Sequence, residues 1–334
     1  MDTLDSLIQG DPNLPSLAYQ AHENAPICLP WARKPIVLGT GLESSVAANS
    51  DDQTVAFRPS AFDRKPAAYQ FQGTGNANSF RQSASSHSSS SYEHMDMKAT
   101  FSAGGSVLGV SGRGQFTKDV CANRDSSKIS VQASIRVGWI TFSTFPRLSS
   151  QSLSLLRRSP AAFHHTYGDY FLSALSLGAD TSTFLSTSSN VDLKSEMRDI
   201  QVKAKFLGAS KTVFADHLDT QAVATMCDIS YIGFDSLSEY QQNERAMNRG
   251  AYERIKVDAT RNVADGIRLV DRMKEALGGV GLDCERALTE AEMEDVCMSG
   301  AVVEVMFLPY SGLRDYVAAT SIGFLTSQLD DLGQ

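Results

Sequence analysis

The sequence predicts an α+β protein, and three stretches carry that prediction. From Lys128 to Phe142, Ile129, Val131, Ala133, Ile135 and Val137 alternate with Ser130, Gln132, Ser134 and Arg136. A period of two marks a strand with one buried and one solvated face. Around Ser159–Pro160, a hydroxyl cap and a proline suited to a first turn open a short helix. Gly168 ends that helix, and a long β-prone run over 170–188 follows, interrupted at Gly178. From Glu239 to Leu277, apolar or small residues recur every three or four positions, at Tyr240, Met247, Ala251, Ile255, Ala259, Val263, Ile267, Val270, Met273 and Leu277. This spacing predicts a long C-terminal helix, roughly 55–60 Å if unbroken, with bends at Gly250 or Gly266 and a stop at Gly278.

The remaining elements are placed between these anchors. Residues 1–80 are rich in turn formers, with short strands expected at Pro35–Gly39 and Thr54–Phe57. Residues 83–91 are almost all serine and read as a surface linker. Met95, Met97 and Ala99 alternate with Asp96 and Lys98 as in a strand, and a glycine-rich run from Gly104 to Gly114 follows. No Lys-Ser/Thr pair follows those glycines, so they suit a bend in a strand better than a phosphate loop. Leu148–Arg158 has helical spacing, Gln201–Phe206 and Tyr231–Phe234 read as strands, and Val302–Pro309 reads as a closing strand. Ser311 caps a last short helix through Val317. The domain reading is an N-terminal extension over 1–90, a main domain over 91–320 and a tail over 321–334.

Composition excludes several function classes. With 334 residues and 42% apolar content, the chain can bury a sizeable core. A net charge of −8 argues against general nucleic-acid binding and against simple capture by anionic lipid. The five cysteines, Cys28, Cys121, Cys227, Cys284 and Cys297, are odd in number and widely spaced. They read as reduced thiols rather than a zinc site or a disulfide framework. No secretory signal and no 18-residue apolar run is found, so the expectation is a cytoplasmic or leaderless secreted protein without a transmembrane helix.

The densest motif is Phe163-His164-His165-Thr166-Tyr167-Gly168-Asp169-Tyr170-Phe171, running through a β-prone stretch to Gly178-Ala179. It resembles the signature of the membrane-attack-complex/perforin (MACPF) family: an aromatic-ended helix, Tyr-Gly-Thr-His-aromatic, then a strand that reaches a Gly-Gly pair. Here Asp169 and Tyr170 stand in place of Thr and His, and Ala179 replaces the second Gly. The chain is also similar to leaderless fungal relatives of that family, with a Tyr-Gly-Asp-Tyr variant and a late Leu308-Pro309-Tyr310-Ser311-Gly312-Leu313-Arg314 segment. The resemblance covers roughly residues 90–320. It implies a bent central antiparallel sheet with flanking helices, and a perforin-like action in which soluble monomers oligomerise and two helical clusters refold into membrane hairpins. Tyr167, Gly168 and Phe171 would be the motif residues, and Gly178 with Ala179 the hinge.

The hairpin segments the resemblance implies are 101–127 and 190–230, both short for that family. A spanning strand needs about 9–11 residues. The first segment is glycine-rich, with Val107, Leu108, Val110 and Phe116 as its lipid-facing candidates, and the second holds Lys203, Lys205, Lys211, Asp216, Asp219 and Asp228. The implied partners are a lipid membrane, a protein partner or further copies of the chain, with no nucleic acid and no cofactor.

A second function class stays open beside this one: an intracellular enzyme or small-molecule-binding protein, as in fungal secondary metabolism, that reuses the scaffold without forming pores. Its candidate acid/base residues are His164, His165, Asp169 and Tyr170. His165 and Asp169 are four residues apart and would share a face on a continuing helix. In the bland reading, the same residues form a structural helix–strand corner. His217 with Asp216 and Asp219 lacks nameable third and fourth metal ligands, so no metal site is assigned.

Overall fold

One antiparallel sheet organises the chain in a computed structural model that describes residues 17–31, 33–49, 53–63, 69–85, 112–188, 192–209, 228–238, 240–278 and 287–321. The central strands are β4 (Tyr69–Ser85), β5 (Ser127–Phe142) and β6 (Tyr170–Thr187). β4 pairs with β5, and β5 with β6, in antiparallel register. The outer edge of β6 changes partner along its length. Residues 170–177 pair with β10 (Val302–Pro309), which in turn pairs with β1 (Ile27–Pro30). Residues 181–187 pair with β7 (Ile229–Asp235), which pairs with β8 (Tyr240–Arg245). Short strands β2 (Gly41–Leu42), β3 (Phe57–Arg58) and β9 (Ala287–Leu288) complete the sheet. The region read as an N-terminal extension thus supplies β1 to β4, and β4 is one of the three longest strands.

Helices cover both faces of the sheet. Short helices α1 (Leu17–His22) and α2 (Ser44–Asn49) lie near β1 and β2 in sequence, and α3 (Gly112–Ala122) precedes β5. Phe116 and Val120 of α3 are buried against Phe184, Ile232 and Phe234. On the opposite face lie α6 (Leu193–Ala209) and α7 (Arg249–Ile267), whose Met197, Ile200, Ile255 and Val263 pack on Ile129, Val131, Leu185 and Tyr231. Residues 184 and 185, and 231 and 232, point to opposite faces as strand geometry requires. Farther along, α8 (Leu269–Leu277) and α9 (Glu290–Met298) join the largest core with Leu29, Leu175, Leu177 and Phe307. Helices α4 (Ser150–Arg158), α5 (Pro160–Tyr167) and α10 (314–321) build an aromatic cluster at the start of β6.

The strands at 128–142, 231–234 and 302–309 and the helices around 148–158 and 160–167 stand where the sequence places them. Other expectations need correction. Residues 201–206 belong to helix α6, because Leu193, Met197, Ile200 and Ala204 recur at helical spacing on one buried face. Residues 240–245 are strand β8, alternating half-buried and exposed along the edge of β7. The long helix therefore begins at Arg249, where the Asn248 side chain accepts from Ala251 N–H at 2.9 Å. It also breaks at Arg268, so the 39-residue rod becomes two helices of 19 and 9 residues.

Further differences are local. Residues 35–38 form a loop whose Ile36 and Leu38 are buried, and 53–56 form a 3₁₀ turn. The last helix begins at 314, after the turn Tyr310–Gly312. The polar side of β5 is covered rather than solvated, with Ser130 1% and Gln132 7% exposed. Gly178 does not interrupt β6, which runs unbroken to Thr187. The strand read at 95–99, the glycines 104–109 and the His217 group lie outside the described residues.

Candidate functional site

The motif residues form the corner between α5 and β6. The Ser159 side chain accepts from Ala162 N–H at 3.2 Å, Pro160 opens α5, and Gly168 N–H closes it by donating to His164 O at 2.8 Å. Gly168 has φ +83°, and a Cβ there would meet Leu42 O at 2.4 Å. Backbone conformation and close approach both demand glycine. Phe163 and Tyr167, one helical turn apart, are buried with their ring centroids 5.3 Å apart. Tyr310 packs edge-on to Phe163 at 5.2 Å and lies 5.2 Å from Phe171, while Phe62 meets Phe171 edge-on at 5.0 Å. The late Leu-Pro-Tyr segment and the Tyr-Gly motif are thus one aromatic cluster.

The polar candidates of the corner are held apart by their partners. The Asp169 carboxylate accepts from Ser44 N–H at 2.7 Å and from the Ser44 hydroxyl. His164 Nε2 lies 2.8 Å from the Tyr316 hydroxyl, and the two rings stack. His165 is exposed. Tyr170 is 1% exposed, and its hydroxyl donates to the Ala25 and Gln20 carbonyls at 3.1 and 3.3 Å. Burial, followed by the Asp169 charge, pushes its pKa up to about 12. The His165–Asp169 pairing that a continuing helix would give is absent, since Gly168 turns the chain between them.

Gly178 and Ala179 lie halfway along β6, where its outer neighbour changes. Gly178 N–H donates to Ala301 O at 2.8 Å, and two residues later Asp180 N–H donates to Ser236 Oγ at 3.0 Å. The first contact belongs to the β10 side and the second to the β7 side. A Cβ on Gly178 would meet Ile135 O at 2.2 Å. Ala179 is fully buried opposite Ile135.

Three register shifts fall at this level: between Gly73 and Ala77 of β4, Arg136 and Gly138 of β5, and Val302 and Glu304 of β10. Gly73 faces Gly138, Gly138 faces Leu177, and Leu177 faces Val302. A Cβ on Gly138 would meet Gln72 O at 2.2 Å. Extra residues bend a strand and raise its twist, so aligned shifts bend the sheet along one line. That line separates a corner half, holding the aromatic cluster, from an outer half of β4–β8.

Charged groups beside the line were not singled out by sequence pattern. Arg136 donates to both carboxylate oxygens of Asp180, at 2.8 and 3.2 Å, and Asp180 is 3% exposed in its side chain. Arg272 of α8 lies 2.7 Å from the buried Asp235 carboxylate. Helix α7 seats directly on the outer half. Asn262 Nδ2 donates to Ser182 O at 2.7 Å and Thr183 Oγ1 at 2.9 Å. Helix α6 is held to α7 by Lys256, 3.2 Å from Glu196 and 2.7 Å from Asp199, and by Tyr252, whose hydroxyl donates to Glu196 at 2.8 Å. The available signals were Gly138 inside a strand, Gly266 inside a helix, and an isolated Arg and Asp on facing strands.

Among the described residues, no group of three or more His, Cys, Asp or Glu could hold a metal, and no helix is long and apolar enough to cross a membrane. Cys28, Cys121 and Cys297 form no disulfide among the described residues. Burial raises all three thiol pKa values, to about 12 for Cys28 and about 11 for Cys297, which suppresses the reactive thiolate.

No protein-family model matches the chain, and no curated protein matches it. Solved structures that are similar include stonustoxin, at 11% identity, TM-score 0.34, with 89% of this chain and 34% of that one covered. A non-hemolytic pneumolysin from Streptococcus pneumoniae is 9% identical, TM-score 0.35, with 72% and 56% covered. A protein described as a cell invasion protein with a MAC/Perforin domain, from Bacteroides thetaiotaomicron, is 10% identical, TM-score 0.24, with 78% and 64% covered. This chain spans between about a third and just under two thirds of those proteins. Its own geometry is an α+β fold: a bent antiparallel sheet, flanking helices, and the Tyr-Gly corner at the head of its central strand.

Proposed function

We propose that the protein is perforin-like and acts by self-association on a membrane, with the hairpin segments expected at 101–127 and 190–230 taken as the whole connections between strands, 86–126 and 188–228, because Ser127 belongs to β5 and residues 229–230 to β7. The observation that carries this reading is the pair of open edges on the outer half. β4 pairs beyond β5 only through Tyr69 and Gln70, and β8 pairs only with β7 among the described residues. Two antiparallel edges left unpaired among the described residues, on opposite sides of one sheet, suit head-to-tail addition of further copies.

The connections support the same reading. Each inserts between neighbouring antiparallel strands and is 41 residues long, whereas two spanning strands need about 20. The parts with described helices, α3 and α6, lie on opposite faces of the outer half and so are positioned to leave independently. The aligned register shifts supply the flexure, and Gly178 stands at the change of partner.

The test is dye release from liposomes of varied lipid composition and pH, with negative-stain imaging of the same samples. Leakage with arcs or rings is the expected result. Neither leakage nor membrane association under any condition would sink the reading. A second reading, binding of a small molecule, draws on one observation, the cleft between α6 and the sheet.

A further inference from the structure

A cleft of about 500 Å³ lies between β4, β5, α6 and the α7–α8 joint. Its walls are apolar: Phe80 from β4, Ala133 and Ile135 from β5, and Ile267, Leu269 and Val270 from the joint. The joint creates the space. At Gly266 the helix comes so close that a Cβ would meet Thr181 Oγ1 at 2.6 Å, and one residue after Ile267 the helix breaks at Arg268. Phe80 and Ile267 remain 54% and 41% exposed, although both face this concavity. Large apolar side chains left open around a cleft mark a surface that a ligand would bury.

The polar lining is sparse. Gln201 and Lys205, one turn apart on α6, supply it together with Ser79 and Ser134. Lys205 is exposed and has no ion-pair partner among the described residues, whereas Lys203, on another side of the helix, pairs with Asp199. Among the described residues, Lys205 is the one charged group lining the cleft. An apolar cleft with one cation among its described lining residues fits a ligand with an apolar body and one negative charge.

We infer that this cleft binds a long-chain carboxylate of about 20 non-hydrogen atoms, with its body against Phe80, Ile135, Ile267 and Val270 and its carboxylate on Lys205. The inference deepens the small-molecule reading and does not depend on membrane assembly. A ligand there touches α6 and the sheet together, and so fixes α6 in place.

Titration with cis-parinaric acid, whose fluorescence rises in apolar surroundings, tests the inference on the full chain. We expect saturable one-to-one binding, and slower deuterium exchange in α6 when the probe is bound. Lys205→Glu should weaken binding by about tenfold or more, a change of about 1.4 kcal/mol. Lys205→Arg should retain it, the methyl ester of the probe should bind as weakly as the acid binds Lys205→Glu, and Phe80→Asp should bind least. Both altered side chains are exposed, and unchanged circular dichroism and melting temperature verify folding. Absence of saturable binding, or binding indifferent to both Lys205→Glu and Phe80→Asp, overturns the inference whatever the liposome experiment shows.

Discussion

The two halves of β6 differ in what holds them. Residues 170–177, Tyr-Phe-Leu-Ser-Ala-Leu-Ser-Leu, supply large apolar groups to the main core and the aromatic cluster. Residues 180–187, Asp-Thr-Ser-Thr-Phe-Leu-Ser-Thr, bury mostly hydroxyls and a carboxylate. Their neighbours answer with hydrogen bonds and an ion pair, Arg136 to Asp180 and Asn262 to Ser182 and Thr183, and Lys256 to Asp199 ties α6 to the helix above them. The corner half is fixed by shape and dispersion, which do not respond to small changes of solvent. The outer half adds to the apolar packing of α3, α6 and α7 a set of polar contacts that can be exchanged for water or for another chain. The proposed function, in which one part stays folded while another rearranges, calls for that division.

Substitutions should expose the difference. In the corner half, Phe163→Ala removes a fully buried ring that meets Tyr167, Tyr310 and Tyr316. It should cost about 3–5 kcal/mol in denaturant unfolding. No polar replacement should recover the loss. At the bend, Asp180→Ala takes the carboxylate from a largely buried Arg136, which keeps its hydrogen bonds to Ser134 Oγ and Ile135 O, and should cost about 3–5 kcal/mol. Here the double variant Arg136→Met with Asp180→Leu should return to near the starting stability, as buried pairs exchanged for apolar groups often do. If the double variant is as unstable as the single one, the bend is not held by interchangeable polar contacts.

Gly178→Val places side-chain atoms against Ile135 O, where a Cβ alone would lie at 2.2 Å, and should cost about 1–3 kcal/mol as overpacking. It should also abolish liposome leakage, while Ser159→Ala, which removes the α5 cap, should cost about 1 kcal/mol and leave leakage intact. Equal leakage from both variants would separate the bend from function.

Acid should loosen the outer half first. For Asp199, burial pushes the pKa up, but hydrogen bonds and charges from Lys256 and Lys203 outweigh it and hold the carboxyl below its ordinary range. A depressed acid stabilises the fold above its unfolded pKa of about 3.9, and the contribution disappears as pH falls through the folded value. Asp265, raised chiefly by burial, has the opposite sign: its contribution is present at low pH and is lost as pH rises through its folded value. Deuterium exchange followed from neutral pH down to acid should show α6 losing protection before α5. Simultaneous loss in both would remove the distinction between the halves.

The corner was legible in the sequence because its signals are local. Ser159, Pro160 and Gly168 each do at the backbone what their residue types allow, and Phe163 and Tyr167 are one turn apart. β5, β7 and β10 were legible for the same reason. The outer half was less so, because its determinants are contacts across the chain. β4 spans the end of a stretch that reads as turn-rich up to residue 80 and the start of the serine run at 83, until β5 pairs with it, and Tyr240–Arg245 continues a helical spacing until the edge of β7 recruits it. Arg136 and Asp180, 44 residues apart, become partners only through strand register. The acid/base candidates His164, His165 and Asp169 are close in sequence but are given to Tyr316, to solvent and to Ser44.

The central claim is that α6 must leave the sheet for the protein to act. Gln82 of β4 and Gln201 of α6 are in contact, with Gln201 Nε2 donating to Gln82 Oε1 at 2.9 Å. Bridging Gln82→Cys and Gln201→Cys with a short, reducible bismaleimide pins the helix, with the unsubstituted chain treated identically as control. The account predicts that the bridged protein releases no dye from liposomes and regains release when the linker is reduced. Full dye release from the bridged protein before reduction would contradict it.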